Sequence, residues 1–166
     1  MFIMATSNFD RVSDFNKKFG VTTFNEPQPE IFTKEPGLVK LRMDLIREEM
    51  KELEEAVAKH DYIETADALA DILYVVYGMG NSIGLNMDDI FGKVHLSNMS
   101  KLCKSEEEAK DTVAWYEQNK QLGYDSPAYR LSDDGEYWVV FNKSSGKILK
   151  SIKYTIVDLK YLINKN

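Results

Sequence analysis

The stretch LVKLRMDLIREEMKELEEAVAKHDYIETADALADILYVVYG, residues 38–78, decides how this chain folds. Apolar residues recur in it at three- and four-residue spacing, the period of helices with one buried face. A first long helix is expected from near Leu38 to about His60. A second is expected over roughly Tyr62 to Met79, where Gly78, Gly80, Asn81, Ser82 and Gly84 end it.

Outward from that pair, a short helix is expected from Asp10 to Phe19. The connector FNEPQPEIFTKEPG, residues 24–37, is kept extended or turning by its three prolines and Gly37. A third helix starts after Asn86, an N-cap followed by Asp88 and Asp89 in the positive first turn, and runs to about Leu102. Ser105 opens a fourth pattern, SEEEAKDTVAWYEQNK. The character then changes: EYWVVFNKSSGKILKSIKY alternates aromatic and β-branched residues around a Ser-Ser-Gly turn and predicts a β-hairpin. The expected fold is mainly α, a helical core over residues 1–104. A helix plus hairpin appendage over 105–166 is expected to pack on the same domain.

The acids of residues 38–78 lie in unusual places. At about 100° per residue, Leu38, Leu41, Leu45 and Ala56 fall within a sector of roughly 60°. Glu52 lies inside that sector and Glu49 at its edge, with Glu48 and Glu55 just to the other side. In the second helix Glu64, Asp67 and Asp71 share one strip, opposite Leu69, Ile72, Leu73 and Val76, while Ala66, Ala68 and Ala70 are small enough to admit a neighbouring helix. Ionised carboxylates buried without partners cost several kcal/mol, and hard divalent cations compensate such a cost. The competing reading makes REEMKELEE a solvated face steadied by i, i+4 pairs with Lys or Arg, and for the first helix alone that reading is the stronger. It fails for the second helix, because no Lys or Arg occurs between Tyr62 and Gly92. An EF-hand is disfavoured, since these acids sit within helices and not in a glycine-containing loop.

Composition narrows the function further. The net charge of -6 argues against a nucleic-acid polymer as partner. An acidic protein can still hold a polyphosphate when divalent cations stand between the two sets of negative charge. With one cysteine, Cys103, and two histidines, His60 and His95, a zinc or histidine centre has little to be built from. No run reaches the roughly 18 apolar residues of a membrane span, and the start MFIMATSNFDR does not fit a secretory leader, so an intracellular, cytoplasmic protein is expected. On the third helix Ile90, Val94, Asn98 and Lys101 follow one inward line. Lys101 suits a phosphate; Asn98 suits a base, a sugar hydroxyl or a metal-bound water. Both also have ordinary roles, as solvated lysine and as cap. His95 reads as a structural or interface residue and Cys103 as a small buried one.

The residues quoted so far resemble the all-α nucleoside triphosphate pyrophosphohydrolases, which include MazG, dimeric dUTPases and phosphoribosyl-ATP pyrophosphohydrolase. The signature of that superfamily is two glutamates, two spacers and a third glutamate on one helix, then Glu-x-x-Asp on the next. Here Glu48, Glu49 and Glu52 are followed by Glu64 and Asp67. The phrases LRMDLIREEMKELEEA, ETADALADILYVVYG and VHLSNMSK look like phage and viral phosphoribosyl-ATP pyrophosphohydrolase-like proteins, and the resemblance spans roughly Phe15 to Lys104. An alternative alignment makes Asp71 the family aspartate and puts Ala68 where glutamate is expected. Asp71 is therefore retained as a further ligand.

The resemblance implies Mg2+, or Mn2+ as substitute, held by Glu49, Glu52, Glu64, Asp67 and Asp71. It also implies that Glu48, exchanging roles with Glu49, acts on the attacking water. The implied reaction takes a nucleoside triphosphate to its monophosphate and pyrophosphate in a homodimer or dimer of dimers. Phosphoribosyl-ATP hydrolysis and a non-catalytic acidic adaptor are the rival readings.

Overall fold

The computed structural model describes residues 6–163, and the leader reading of residues 1–5 lies outside them. The chain forms two compact units, Met1–Ile90 with Leu159–Asn166, and Phe91–Asp158. Among the described residues no single helix is long and apolar enough to cross a membrane.

The first unit is built on a helix pair. α1 spans Asn8–Lys18, α2 is a single turn at Ile31–Lys34, α3 spans Pro36–Ala58 and α4 spans Tyr62–Ile83. Ser7 and Asp10 form a capping box at the start of α1. α3 starts with Pro36 in its first turn, where a missing N–H costs nothing. Three residues turn α3 back along α4: His60 takes a positive φ of 57°, and Asp61 accepts from the N–H groups of Ile63 and Glu64, both at 3.1 Å. The connector is therefore more ordered than expected, because Ile31 is buried and anchors the α2 turn.

α4 also runs further than expected, through Gly78 and Gly80 to Ile83, and ends where Gly84 adopts φ 73°. The intermediate glycines belong to the helix because of what packs on them. A Cβ at Gly78 would stand 3.3 Å from the Arg42 Nη1, and one at Gly80 would stand 2.4 Å from the Met87 Cγ. Asn81 and Ser82 do not end the helix either; they are buried fasteners. Ser13 donates to Asn81 Oδ1 at 2.6 Å, while Arg42 Nε donates to Ser82 Oγ at 2.8 Å. Ser82 in turn donates to the Thr22 carbonyl at 3.0 Å. α1, the connector, α3 and α4 are thus tied by buried polar side chains, each satisfied by a partner.

The apolar stripes of this pair are only partly covered. Ala56 and Ala68 are buried, but Leu41, Leu69 and Leu73, expected to face inward, are about half exposed or more, and Ile63 is 73% exposed. The acids expected on the buried face are exposed as well, except Glu49, which is half-buried.

α5, Met87–Met99, starts in the first unit with Asn86 accepting from the Asp89 N–H at 3.1 Å and continues into the second. In the second unit α6 spans Glu106–Gln118, with Ser105 accepting from the Glu108 N–H. β1, Pro127–Leu131, pairs antiparallel with β2, Trp138–Asn142. The sheet is the small one expected, with a different partner strand. The Ser-Ser-Gly turn does form, yet the chain beyond it makes only an isolated bridge, Phe141 with Ile148. The edge of β2 that would take a full strand is shared with Cys103, whose N–H and C=O both pair with Trp138 at 2.8 Å. Cys103, Ala109, Tyr116, Val140 and Leu149 form a closed core for this unit.

Candidate active site

α3 presents Glu48, Glu49 and Glu52; α4 presents Glu64, Asp67 and Asp71. The cations of α3 go elsewhere. Lys40 and Arg47 pair with Asp44 at 2.5 and 2.9 Å, and Lys51 and Lys59 both reach Glu55 at 3.6 Å. The solvated-face reading therefore holds for Asp44 and Glu55. Among the described residues none of Glu48, Glu49, Glu52, Glu64, Asp67 and Asp71 has an ion-pair partner or a side-chain hydrogen bond.

Electrostatics shows which of these acids the helix pair brings together. Burial, followed by the charges of Asp71, Glu52, Glu48 and Asp67, holds the Glu49 carboxyl above the usual carboxylate range. Asp71 acts on Glu49 more strongly than Asp67 does, so the helix pair places both aspartates against α3. Glu64 lies in the first turn of α4, seven residues before Asp71, and is exposed.

Glu49 and Asp71 also line a cavity of about 580 Å³ bounded by α1, by Val21 and Thr22 just after it, and by α3 and α4. Arg42 lines it too. Its guanidinium is buried and bound to Ser82, and burial lowers its pKa. Arg42 was not singled out from sequence, because by the same arithmetic it stands about 40° beyond Leu38, outside the apolar sector. In the second unit Lys101 Nζ donates to Asn98 Oδ1 at 2.8 Å; Asn98 is exposed, so the inward line expected through it stops at Val94. His95 is exposed, and Cys103 is fully buried with its thiol pKa pushed up by burial.

The profile of the phosphoribosyl-ATP pyrophosphohydrolase family matches residues 12–98, which include every acid just described. The chain belongs to this family. An uncharacterized protein of Acanthamoeba polyphaga mimivirus is 30% identical to it, over 95% of this chain and 96% of that protein. Membership in the phosphoribosyl-ATP pyrophosphohydrolase family implies pyrophosphohydrolase chemistry, and the family is typically magnesium-dependent.

The residues present fit a hard cation by donor type, being all carboxylate oxygens; the one guanidinium on the cavity, that of Arg42, makes no ion pair with them among the described residues and is bonded to Ser82. Among the described residues no three His, Cys, Asp or Glu side chains stand ready-gathered around one point. Exposed carboxylates on facing helices keep the rotamer freedom to close on an ion, and substrate phosphates commonly complete the shell of magnesium.

Proposed function

We propose that this chain hydrolyses a nucleoside triphosphate, with deoxynucleotides the first candidates, to the monophosphate and pyrophosphate. The observation that carries the reading is the cluster around Glu49: five acids on two facing helices, mutually repelling, while Lys40 and Arg47 pair with Asp44, Lys51 pairs with Glu55 and Arg42 is bonded to Ser82. Such an arrangement raises the free energy of the empty site, which a positively charged partner relieves.

Glu49, Glu52, Glu64, Asp67 and Asp71 would hold magnesium, which when bound neutralises the phosphate chain. Glu48, exposed and without a partner among the described residues, is our first choice to orient and deprotonate a water for attack at the α-phosphorus. The raised pKa of Glu49 makes it the alternative base. The Lys101 ammonium, held by Asn98, suits a phosphate oxygen, and Asn98 a sugar or base.

A second copy of this chain is the proposed partner, as a homodimer or dimer of dimers. The bare apolar faces of α3 and α4 support it, since leaving several large side chains exposed forgoes about 1.5–3 kcal/mol each. The helical core over 1–104 and the appendage over 105–166 remain our proposed functional division.

Pyrophosphate release is the test, measured over ribo- and deoxynucleoside triphosphates and phosphoribosyl-ATP, with magnesium, with EDTA, and with Glu52→Gln. Magnesium-dependent release lost in the variant is expected. Preference for phosphoribosyl-ATP would move the substrate to the one the family is named for. Silence across the panel in folded protein would make the acids those of a non-catalytic adaptor.

A further inference from the structure

The cavity that ends at Glu49 and Asp71 contains a polar group with no partner. Asn16, on α1, is 2% exposed, and its Nδ2 has no hydrogen-bond acceptor among the described residues. The backbone around it is satisfied: the Asn16 carbonyl accepts from the Val21 N–H at 2.9 Å, fixing the residue where α1 gives way to the connector. A buried carboxamide left without an acceptor is disfavoured, and such exceptions call for a specific cause, among them strain, a water or ion, or a role in binding or catalysis.

Its surroundings suit a flat heteroaromatic group. Val12 and Phe15 of α1, Leu38 and Leu45 of α3, and Tyr74 and Val75 of α4 line the same cavity. Apolar walls with one or two placed polar groups are the usual make-up of a small-molecule pocket. Besides Asn16, the two acids and Tyr74, the polar residues of the lining are Thr22 and Arg42, and the Arg42 guanidinium is already engaged by Ser82. Two of the acids, Glu49 and Asp71, line this cavity, so one ligand can lie with its base between the walls and its phosphates at those two carboxylates.

We infer that this cavity receives the nucleobase of the substrate and that Asn16 reads it, its Nδ2 donating to a carbonyl oxygen or unprotonated ring nitrogen on the base edge. The inference rests on the nucleotide reading above. A base offering an acceptor at that position satisfies the buried amide; a base offering a donor leaves two donors facing each other and is rejected.

The experiment is calorimetric titration of the full chain with AMP, GMP, CMP and UMP and their deoxy forms in magnesium. Wild type is compared with Asn16→Asp, near-identical in shape but without the donor, and with Asn16→Ala. Melting temperature and circular dichroism confirm that each variant folds. Wild type is expected to rank the bases by tenfold or more. Asn16→Ala should flatten the ranking, and Asn16→Asp should invert it toward bases that present a donor. Equal binding of all bases by wild type, or an unchanged ranking in both folded variants, would overturn the inference. Ranked binding without pyrophosphate release would sink the hydrolytic reading and leave the base pocket standing. Release without ranking would do the reverse.

Discussion

Two acids in different units, Glu49 and Glu108, show opposite ways of placing a carboxylate. In the second unit Glu108 is buried, and burial alone would raise its pKa. Ser151 donates to it at 2.5 Å, the Lys104 N–H at 3.3 Å and Lys153 Nζ at 3.4 Å, and together they hold it below the usual range. Asp125 is the extreme of that kind: hydrogen bonds from Ser144, Asn142 and Ser126 bring it to about 2. Glu49 is less buried, has no donor among the described residues, and lies above the usual range among four other acids. An acid that holds a fold is surrounded by donors, whereas one that awaits a cation is left without them.

The largest effect expected is on rate. Glu48→Gln should lower the rate of pyrophosphate release by roughly 10²–10⁴-fold if it handles the attacking water, with melting temperature nearly unchanged. A loss of stability equal to that of Glu108→Gln would erase the distinction between the two acids. Next comes Glu108→Gln, which exchanges a charge-assisted network for neutral bonds. It is expected to cost about 1.5–3 kcal/mol in denaturant unfolding and to leave metal-dependent turnover intact.

The pH dependence sharpens the contrast because the two signs differ. The folded pKa of Glu108 is depressed, so its contribution is present above the unfolded value near 4.3 and lost as pH falls through the lower folded value. The folded pKa of Glu49 is raised, so its protonation favours the fold, and that gain is lost as pH rises through the raised value. Glu108→Gln should thus flatten the acid limb of a stability profile, and Glu49→Gln the limb just above it.

The smallest effect is the most diagnostic. Without metal, Glu49→Gln should raise stability near neutral pH by less than about 1 kcal/mol by removing one of five like charges. Magnesium should then stabilise wild type more than this variant in thermal melts. Destabilisation of the metal-free protein by Glu49→Gln would show that the carboxylate has a structural partner.

The helix periods of residues 38–78 were legible because periodicity depends on nothing beyond the segment. The acid spacing was legible for the same reason, and so was the absence of Lys and Arg from Tyr62 to Gly92. The end of α4 was misread, since Gly, Asn and Ser close a helix in isolation, and only Arg42, Ser13 and Met87 packing on them make them interior residues. The partner of β2 was missed because a nearby turn is a local signal and pairing with Pro127–Leu131 is not.

The sequence by itself determined the main helices and which carboxylates share one strip of each, because both follow from residue spacing along a fixed helical pitch. Only the tertiary structure decided which cations are taken by Asp44 and Glu55, which apolar faces stay bare, and that Asn16 and Arg42 share a cavity with Glu49. Those are outcomes of competition for partners among side chains distant in sequence, and burial, the quantity that sets the cost of a charge or an unpaired amide, exists only once the elements have packed.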